Sequence, residues 1–138
     1  MICNIYKKIE TLDTYCEILT KIYITLIKKY GKENIVKEKI KLIMIDHKLC
    51  KDVDYESFCM SQKQKKSIVN NFIFIYFLYK YGKYHDIEIC FDYLFKKIDD
   101  NIETGLYVEC LKKIIEHHKL SPSRRELLNK FISNKDKY

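Results

Sequence analysis

The sequence predicts an all-α fold, a single domain over residues 1–138 in which about seven helices surround one central apolar helix. Glycine occurs three times and proline once, too rarely for the frequent turns of a sandwich of short strands. Apolar residues recur at alternating spacings of three and four along most of the chain, which is the period of a helix face. Residues 68–81 are apolar on every side and too numerous for an ordinary strand. We therefore expect this segment to be a helix enclosed by the others.

The first half of the chain predicts two amphipathic helices. The apolar stripe of the first is formed by Leu12, Cys16, Leu19, Tyr23, Leu26 and Tyr30. Thr14 and Glu17 have the spacing of a capping box near its start, and Gly31 stands where a left-handed C-cap belongs. The second helix covers about residues 34–45, and its apolar face is formed by Val36, Ile40, Ile43 and Met44. Residues 47–60 are mixed in character and predict a loop or a short helix.

The second half predicts the central helix and three further helices. The central helix covers about residues 61–81 and begins with polar residues. Asp86 caps the next helix, whose apolar face is formed by Ile87, Phe91, Leu94, Ile98 and Ile102. Another helix covers about residues 106–118. Ser121 and Pro122 form an N-cap and first-turn pair that begins a short last helix.

Composition excludes several classes of protein. With 47% hydrophobic and 33% charged residues, the chain is globular rather than disordered. The longest apolar run is residues 72–79, whereas a membrane-spanning helix needs about 20 residues, and neither end of the chain resembles a signal peptide or a tail anchor. We expect no membrane span. The six cysteines lack the spacing of a disulfide framework, so we expect reduced, mostly buried thiols in a cytosolic protein.

Residue types that support catalysis or metal binding are present without the necessary spacing. His117 and His118 are adjacent, so on a helix they point about 100° apart and cannot share one ion. Cys50 and Cys59 are far apart in sequence, and no Cys-x-x-Cys motif exists. The three glycines are scattered, which leaves no glycine-rich phosphate loop. We expect no catalytic residue, no metal and no cofactor, and predict that the protein is not an enzyme.

The basic charge raises nucleic-acid binding as an alternative. The formal net charge is +7, and 24 of the 26 basic residues are lysine. The densest basic clusters are Lys28, Lys29 and Lys32, and Lys63, Lys65 and Lys66. Arginine, which suits base edges and bidentate phosphate contacts better than lysine, occurs only at Arg124 and Arg125. Because lysines occur on every predicted helix, a solvated basic surface is the favoured interpretation.

Two stretches of the chain carry a resemblance to a known family: residues 62–102 (QKQKKSIVNNFIFIYFLYKYGKYHDIEICFDYLFKKIDDNI) and residues 18–43 (ILTKIYITLIKKYGKENIVKEKIKLI). The first is similar to the polar lead-in, central helix, glycine-containing turn and next amphipathic helix of poxviral Bcl-2-like proteins. The second resembles their early helix, turn and following helix. Anti-apoptotic members have a Gly-Arg pair at the start of the central helix, where residues 67–71 here read SIVNN. This departure favours the branch that inhibits innate immune signalling.

The resemblance implies a viral interaction protein of the host-cell cytoplasm. It would bind a host signalling adaptor or kinase and inhibit NF-κB or interferon-type signalling, and proteins of this fold often pair as homodimers. A BH3-binding inhibitor of apoptosis is the alternative within the same fold. If a groove binds the partner, its walls come from the second and central helices. The side chains that we expect in those walls, unless they form a closed core, are Ile40, Ile43, Met44, Val69, Phe72 and Tyr76.

Overall fold

The computed structural model describes residues 2–11, 15–44, 53–100, 102–116 and 121–133. Within these ranges the chain forms seven helices and no strand, which confirms the predicted all-α class. The helices are α1 (Ile2–Thr11), α2 (Cys16–Lys29), α3 (Ile35–Ile43), α4 (Tyr55–Lys80), α5 (Ile87–Asp99), α6 (Thr104–Ile115) and α7 (Pro122–Ser133). None of these described helices has both the length and the apolar character that a membrane span requires.

The longest helix, α4, has two unlike halves. Every side chain from residue 70 to residue 78 is buried, and α4 contacts α1, α2, α3, α5 and α6. Most side chains between residues 55 and 67 are exposed or half-buried instead. The same helix therefore contributes both the densest part of the core and a surface.

The start of α4 differs from the prediction. Residues 55–60, expected in a loop or a separate short helix, form the first turns of α4. Asp54 caps this earlier start: the Ser57 backbone N–H donates to Asp54 Oδ1 at 2.8 Å, and the Asp54 backbone N–H donates to Ser57 Oγ at 2.9 Å. This reciprocal pair satisfies two backbone donors that a helix start otherwise leaves unpaired. The prediction missed the cap because Ser replaces the usual Glu or Gln at the third position.

Aromatic rings join α4 to its neighbours. The fully buried Phe74 ring contacts the rings of Tyr6 and Tyr23 in edge arrangements, with centroids 5.7 Å and 5.1 Å apart. The Phe72 ring stacks on Tyr93 of α5 at 5.9 Å. Such offset and edge contacts add to the free energy gained from burial alone. They attach α1, α2 and α5 to the buried half of α4.

The first part of the chain contains one helix more than expected. Apolar residues at positions 2, 5 and 9 already have helical spacing, and α1 covers them. Leu12 and Thr14, predicted in the first stripe and its capping box, lie outside the described residues. The predicted C-cap at Gly31 is confirmed: its φ is 64°, and the Lys32 N–H donates to the Ile27 carbonyl at 2.8 Å.

Arg124 links α7 to α5 through ion pairs and ring contacts. Its guanidinium Nη2 lies 2.6 Å from Glu88 Oε2 and 2.9 Å from Asp92 Oδ1. The guanidinium carbon also lies 5.5 Å and 5.7 Å from the ring centroids of Phe91 and Phe95. A planar cation that faces two rings and two carboxylates is an arrangement that lysine does not reproduce.

Candidate partner-binding cleft

A solvent-accessible cleft of about 810 Å³ lies between α4, α6 and the start of α2. The α4 side chains that line it extend from Gln62 to Phe77 and recur at helical spacing, so they form one face of that helix. The α6 wall extends from the residues around Thr104 to Glu116. The cleft therefore lies along α4 where its exposed half meets its buried half.

The floor of the cleft is apolar. Val69 and Ile73 of α4 and Leu106 of α6 line it, with Phe77 and Cys16 toward the α2 end. Val69 is half-buried, whereas the other four side chains are mostly covered by their neighbours. Apolar groups at the bottom of an open cleft favour an occupant that covers them from water.

The rim of the cleft is charged, with opposite signs on its two main walls. The α4 wall carries Lys65 and Lys66, whereas the α6 wall carries Glu109 and Glu116 with Lys113 between them. Including Glu17 and Glu103, four glutamates and three lysines line the cleft. The lining is thus slightly acidic in a chain whose formal charge is +7.

Glu17 joins the start of α2 to the end of α4. Its Oε1 accepts a hydrogen bond from the Tyr81 hydroxyl at 2.5 Å and one from Lys80 Nζ at 3.1 Å. The Tyr81 hydrogen bond, followed by that of Lys80, lowers the pKa of Glu17 from its ordinary value of 4.5, and the bond to Glu17 raises the pKa of Lys80. This end of the cleft is therefore held by a charged, hydrogen-bonded contact.

Glu103 supports the α6 wall with a strained backbone. Its φ is 46° and its ψ is 49°, and it is the one residue other than glycine with a positive φ in the described ranges. Its carbonyl accepts hydrogen bonds from the N–H groups of Leu106 and Tyr107 at 3.0 Å and 3.2 Å. The left-handed conformation turns the chain sharply into α6.

The six side chains predicted as groove walls do not meet in this cleft. Of these, Val69 alone lines it. Met44 is half-buried at the end of α3 and packs against the core. The others are buried members of the hydrophobic core: Ile40, Ile43, Phe72 and Tyr76. In this conformation the α3–α4 seam is closed at those four positions, and the open surface lies along the α4–α6 seam.

The α4 residues that line the cleft have a recognisable pattern in the sequence. Gln62, Lys65 and Val69, with Lys66 beside them, follow a single α4 face at spacings of three and four. Polar residues at such positions interrupt the apolar character of the helix on one side. That interruption is the sequence signal for an open face. The opposing wall on α6 has no such signal, because its position depends on how the helices pack.

The described cysteines are structural in character. Cys16, Cys90 and Cys110 are buried and Cys59 is half-buried, all with free thiols. Burial raises the pKa of Cys90 to about 12 and that of Cys110 well above its ordinary value, so both stay protonated near neutral pH. Among the described residues no group of three or more His, Cys, Asp or Glu side chains is placed to hold a metal ion. Cys50, His117 and His118 lie outside those residues.

Comparison of the chain with protein-family profiles, curated proteins and solved structures finds no match. A functional conclusion therefore depends on the geometry of the cleft and the distribution of charge around it. The resemblance to poxviral Bcl-2-like proteins stays a prediction from the sequence.

The structure also shows where the basic clusters lie. Lys63, Lys65 and Lys66 follow the exposed half of α4, whereas Lys28 and Lys29 end α2. Arg124, one of the two arginines, is already bound to two carboxylates and two rings of α5. Because Arg124 is occupied by these contacts with α5, Arg125 is the one arginine of the pair that is left for a nucleic-acid surface.

Proposed function

We propose that this chain is an interaction protein that binds a host signalling protein in the α4–α6 cleft. In its full form the proposal is a viral Bcl-2-like module of the host-cell cytoplasm that inhibits NF-κB or interferon-type signalling by occupying its partner. The observation that carries the binding role is the cleft itself, an apolar floor between charged walls. Such a surface suits recognition, because an occupant would cover the half-buried Val69 in the floor and the charged rim selects the partner.

Support for a Bcl-2-like arrangement comes from α4 and its neighbours. The helix is 26 residues long, and it contacts five of the other helices. The glycine-containing turn after it is present at Gly82, whose φ is 77°. These features agree with the order of elements on which the sequence resemblance rests.

The BH3-binding alternative receives less support than the signalling role. Asn70 and Asn71 stand in the region where anti-apoptotic members carry their Gly-Arg pair, and both are buried. Asn71 Oδ1 accepts a hydrogen bond from the Tyr6 hydroxyl at 2.8 Å. That side chain is engaged inside the bundle rather than directed toward a ligand. Titration with pro-apoptotic BH3 peptides tests the alternative, and saturable binding below about 100 μM would revive it.

A reporter assay in transfected cells tests the proposed function. The wild-type chain is expected to lower NF-κB or interferon-promoter activity, and Val69→Asp is expected to abolish that effect because it puts a charge in the apolar floor. Ile89→Asp is the matched control, since Ile89 is exposed on α5 and outside the cleft. Far-UV spectra establish that both variants are folded.

Two results would overturn the proposal. One is a wild-type chain that leaves both reporters unchanged. The other is a folded Val69→Asp variant that inhibits as strongly as the wild type, since the cleft would then have no role in the effect.

A further inference from the structure

The solvent side of α2 combines exposed apolar side chains with lysines. The exposed side chains of residues 15–32 are called here the α2 outer face. We propose that this face binds the surface of an anionic membrane, with α2 parallel to the bilayer, Ile18 and Ile22 at the level of the upper acyl chains and the lysines on the lipid phosphates. The proposal goes beyond the function proposed for the cleft, because the cleft lining includes Cys16 and Glu17 of α2 and no residue of its outer face.

Two exposed isoleucines lie one turn apart on this face. Ile18 is 57% exposed and Ile22 is 40% exposed, and their spacing of four residues puts both on one side of the helix. A tyrosine lies near each end of the helix: Tyr15 is 56% exposed, and Tyr30, at the C-cap, is 50% exposed. Tyrosine rings favour the headgroup level of a bilayer, whereas isoleucine favours the acyl chains. The apolar residues of the face therefore have the order that an interfacial helix requires.

Four exposed lysines accompany the apolar side chains: Lys21, Lys28, Lys29 and Lys32. None of them forms an ion pair with a residue that the structure describes. Lys21 and Lys28 are seven residues apart and lie on the same side of the isoleucine pair, whereas Lys29 is seven residues after Ile22 and continues its line. Each lysine close to an anionic lipid surface adds to the attraction.

The two glutamates of residues 15–33 do not neutralise these lysines. Glu17 Oε1 accepts a hydrogen bond from Lys80 Nζ at 3.1 Å, and Glu33 Oε1 lies 3.6 Å from Lys83 Nζ. Both partner lysines lie at or just beyond the end of α4, outside the α2 outer face. The carboxylates are therefore paired elsewhere, and the outer face has a net positive charge.

The start of α4 shows that exposed apolar residues alone do not make such a face. Tyr55, Phe58 and Met60 are exposed there. Asp54 and Glu56 are exposed among them, and their negative charges would be repelled by an anionic surface. It is the combination of apolar and uniformly basic side chains on α2 that indicates an anionic bilayer.

The same combination disfavours two other occupants. In a two-fold pairing, both copies would bring the same lysines to one interface, where each meets positive charge rather than an unpaired carboxylate. A nucleic acid would neutralise the lysines through its phosphates, but it would not cover Ile18 and Ile22 with an apolar environment. A bilayer does both, because its phosphates contact the lysines and its acyl chains cover the isoleucines.

Tryptophan emission tests the insertion, because the chain contains no tryptophan of its own. Ile18→Trp puts a single probe on the α2 outer face. Ile89→Trp is the matched control, since Ile89 is 55% exposed on α5. With vesicles of phosphatidylcholine and about 30% phosphatidylserine, the emission of Ile18→Trp is expected to move to shorter wavelength, and that of Ile89→Trp is expected to stay unchanged. Vesicles of phosphatidylcholine alone are expected to shift neither.

Sedimentation of the whole chain with the same vesicles at about 0.1 M salt measures the contribution of charge. The double variant Lys28→Glu with Lys29→Glu is expected to bind anionic vesicles at least about tenfold more weakly than the wild type. Lys63→Glu with Lys96→Glu changes the net charge by the same amount at exposed positions of α4 and α5, and it is expected to keep most of the affinity. Far-UV spectra establish that all variants are folded.

Serine substitutions measure the contribution of the apolar side chains in the same assay. Ile18→Ser is expected to weaken vesicle binding by about tenfold, because a buried isoleucine is replaced by a polar residue. Ile89→Ser makes the same change at a position of similar exposure and is expected to bind as the wild type does.

Four outcomes would overturn the inference. The first is no binding up to about 1 mM lipid, and the second is equal binding to both kinds of vesicle. The third is binding without an emission shift in Ile18→Trp, which would show attraction of charge without insertion. The fourth is equal weakening by the two charge variants, which would show that net charge rather than the α2 outer face is responsible.

A fifth result would assign the face to a different occupant. If the emission of Ile18→Trp shifted without lipid as the protein concentration rose, and sedimentation equilibrium showed dimers, the α2 outer face would bind a second copy. Failure of the membrane inference is separable from failure of the proposed function, because the reporter assay with Val69→Asp depends on the cleft and not on this face.

Discussion

Glu17 is a side chain whose ionisation contributes to the stability of the bundle. Its folded-state pKa is lowered by Tyr81 and Lys80, so its contribution is fully present above the ordinary value of 4.5 and is lost as pH falls through the folded pKa. Glu17→Gln is expected to lower the free energy of unfolding near neutral pH and to flatten its decline on acidification.

Urea denaturation at about pH 7 and at acidic pH checks this prediction. Glu56→Gln on the exposed first turn of α4 is the matched control, since it removes a carboxylate that forms neither of the Glu17 contacts. If the free energy of unfolding depended on pH equally in the wild type and in Glu17→Gln, the role assigned to the Tyr81 and Lys80 contacts would be contradicted.

Glu103 stores strain at the start of α6. A left-handed backbone costs a residue other than glycine about 1–3 kcal/mol, and glycine adopts it freely at a smaller entropic cost. Glu103→Gly is therefore expected to raise the free energy of unfolding by about 1 kcal/mol relative to Glu103→Ala, as measured by urea denaturation. Comparison with alanine removes the effect of the lost carboxylate. Equal stability of the two variants would show that the conformation is not strained.

The predicted groove residues show the limit of sequence reasoning at this scale. Periodicity identified Ile40, Ile43, Phe72 and Tyr76 as apolar positions of α3 and α4, and all four are buried. It does not distinguish an apolar side chain that fills the core from one that lines an open seam, because both lie on the same face of their helix. Val69 lines the cleft because α4 loses its covering neighbours there.

At the scale of helices, α7 provides the clearest prediction. Arg124 is 23% exposed, while its partners Glu88 and Asp92 are mostly exposed, so solvent weakens each ion pair. Arg124→Ala removes the ion pairs and the ring contacts together. It is expected to lower stability by about 1–2 kcal/mol, mainly by making local opening of α7 easier. Hydrogen exchange should show faster exchange in α7 with little change in α4.

Two substitutions complete the Arg124 experiment. Arg125→Ala is the matched control, because Arg125 is the exposed neighbour on the same helix. Arg124→Lys keeps the charge and loses the planar guanidinium group. Its rate of hydrogen exchange in α7 is therefore expected to lie between those of the wild type and Arg124→Ala. An exchange pattern unchanged by Arg124→Ala would show that other contacts hold α7.

The helices were predictable to different degrees. The start of α7 at Pro122 and the turn at Gly31 follow from local backbone chemistry, and the structure has both. The start of α4 depends on the Asp54 and Ser57 pair, and the separate α1 depends on packing against α2 and α4. Local residues therefore predict the helix ends that glycine or proline determines. The helix ends that depend on an unusual polar cap or on tertiary contacts do not follow from the sequence pattern.

For the whole molecule, the distribution of charge matters more than its total. The formal charge is +7, yet the cleft lining holds more glutamates than lysines. We expect labelled duplex DNA to bind at about 0.05 M salt and to be released by about 0.2 M salt, because dispersed lysines provide non-specific attraction alone. Anisotropy titrations at both salt concentrations measure this.

Arg125→Ala serves as the internal comparison in that titration. It is expected to weaken DNA binding no more than Lys63→Ala does, since each removes one exposed positive charge. Binding that persists at the higher salt concentration and requires Arg124 and Arg125 would support a nucleic-acid function instead.

The all-α class of the whole molecule followed from composition and periodicity, because scarce glycine and proline and a helical apolar repeat leave few other folds. The position of the cleft did not follow from them. It results from the seam between α4 and α6, helices that the sequence separates by the whole of α5.

The uninterrupted course of α4 also has a thermodynamic consequence. At 26 residues it is about 39 Å long, and this one helix carries both a largely exposed half and the half that is buried in the core. A ligand that binds only the folded chain stabilises it by mass action, by about 2.7 kcal/mol when its concentration is 100 times its dissociation constant. A partner of this protein should therefore be detectable by heating alone, as the ligand that raises the melting temperature of the entire bundle.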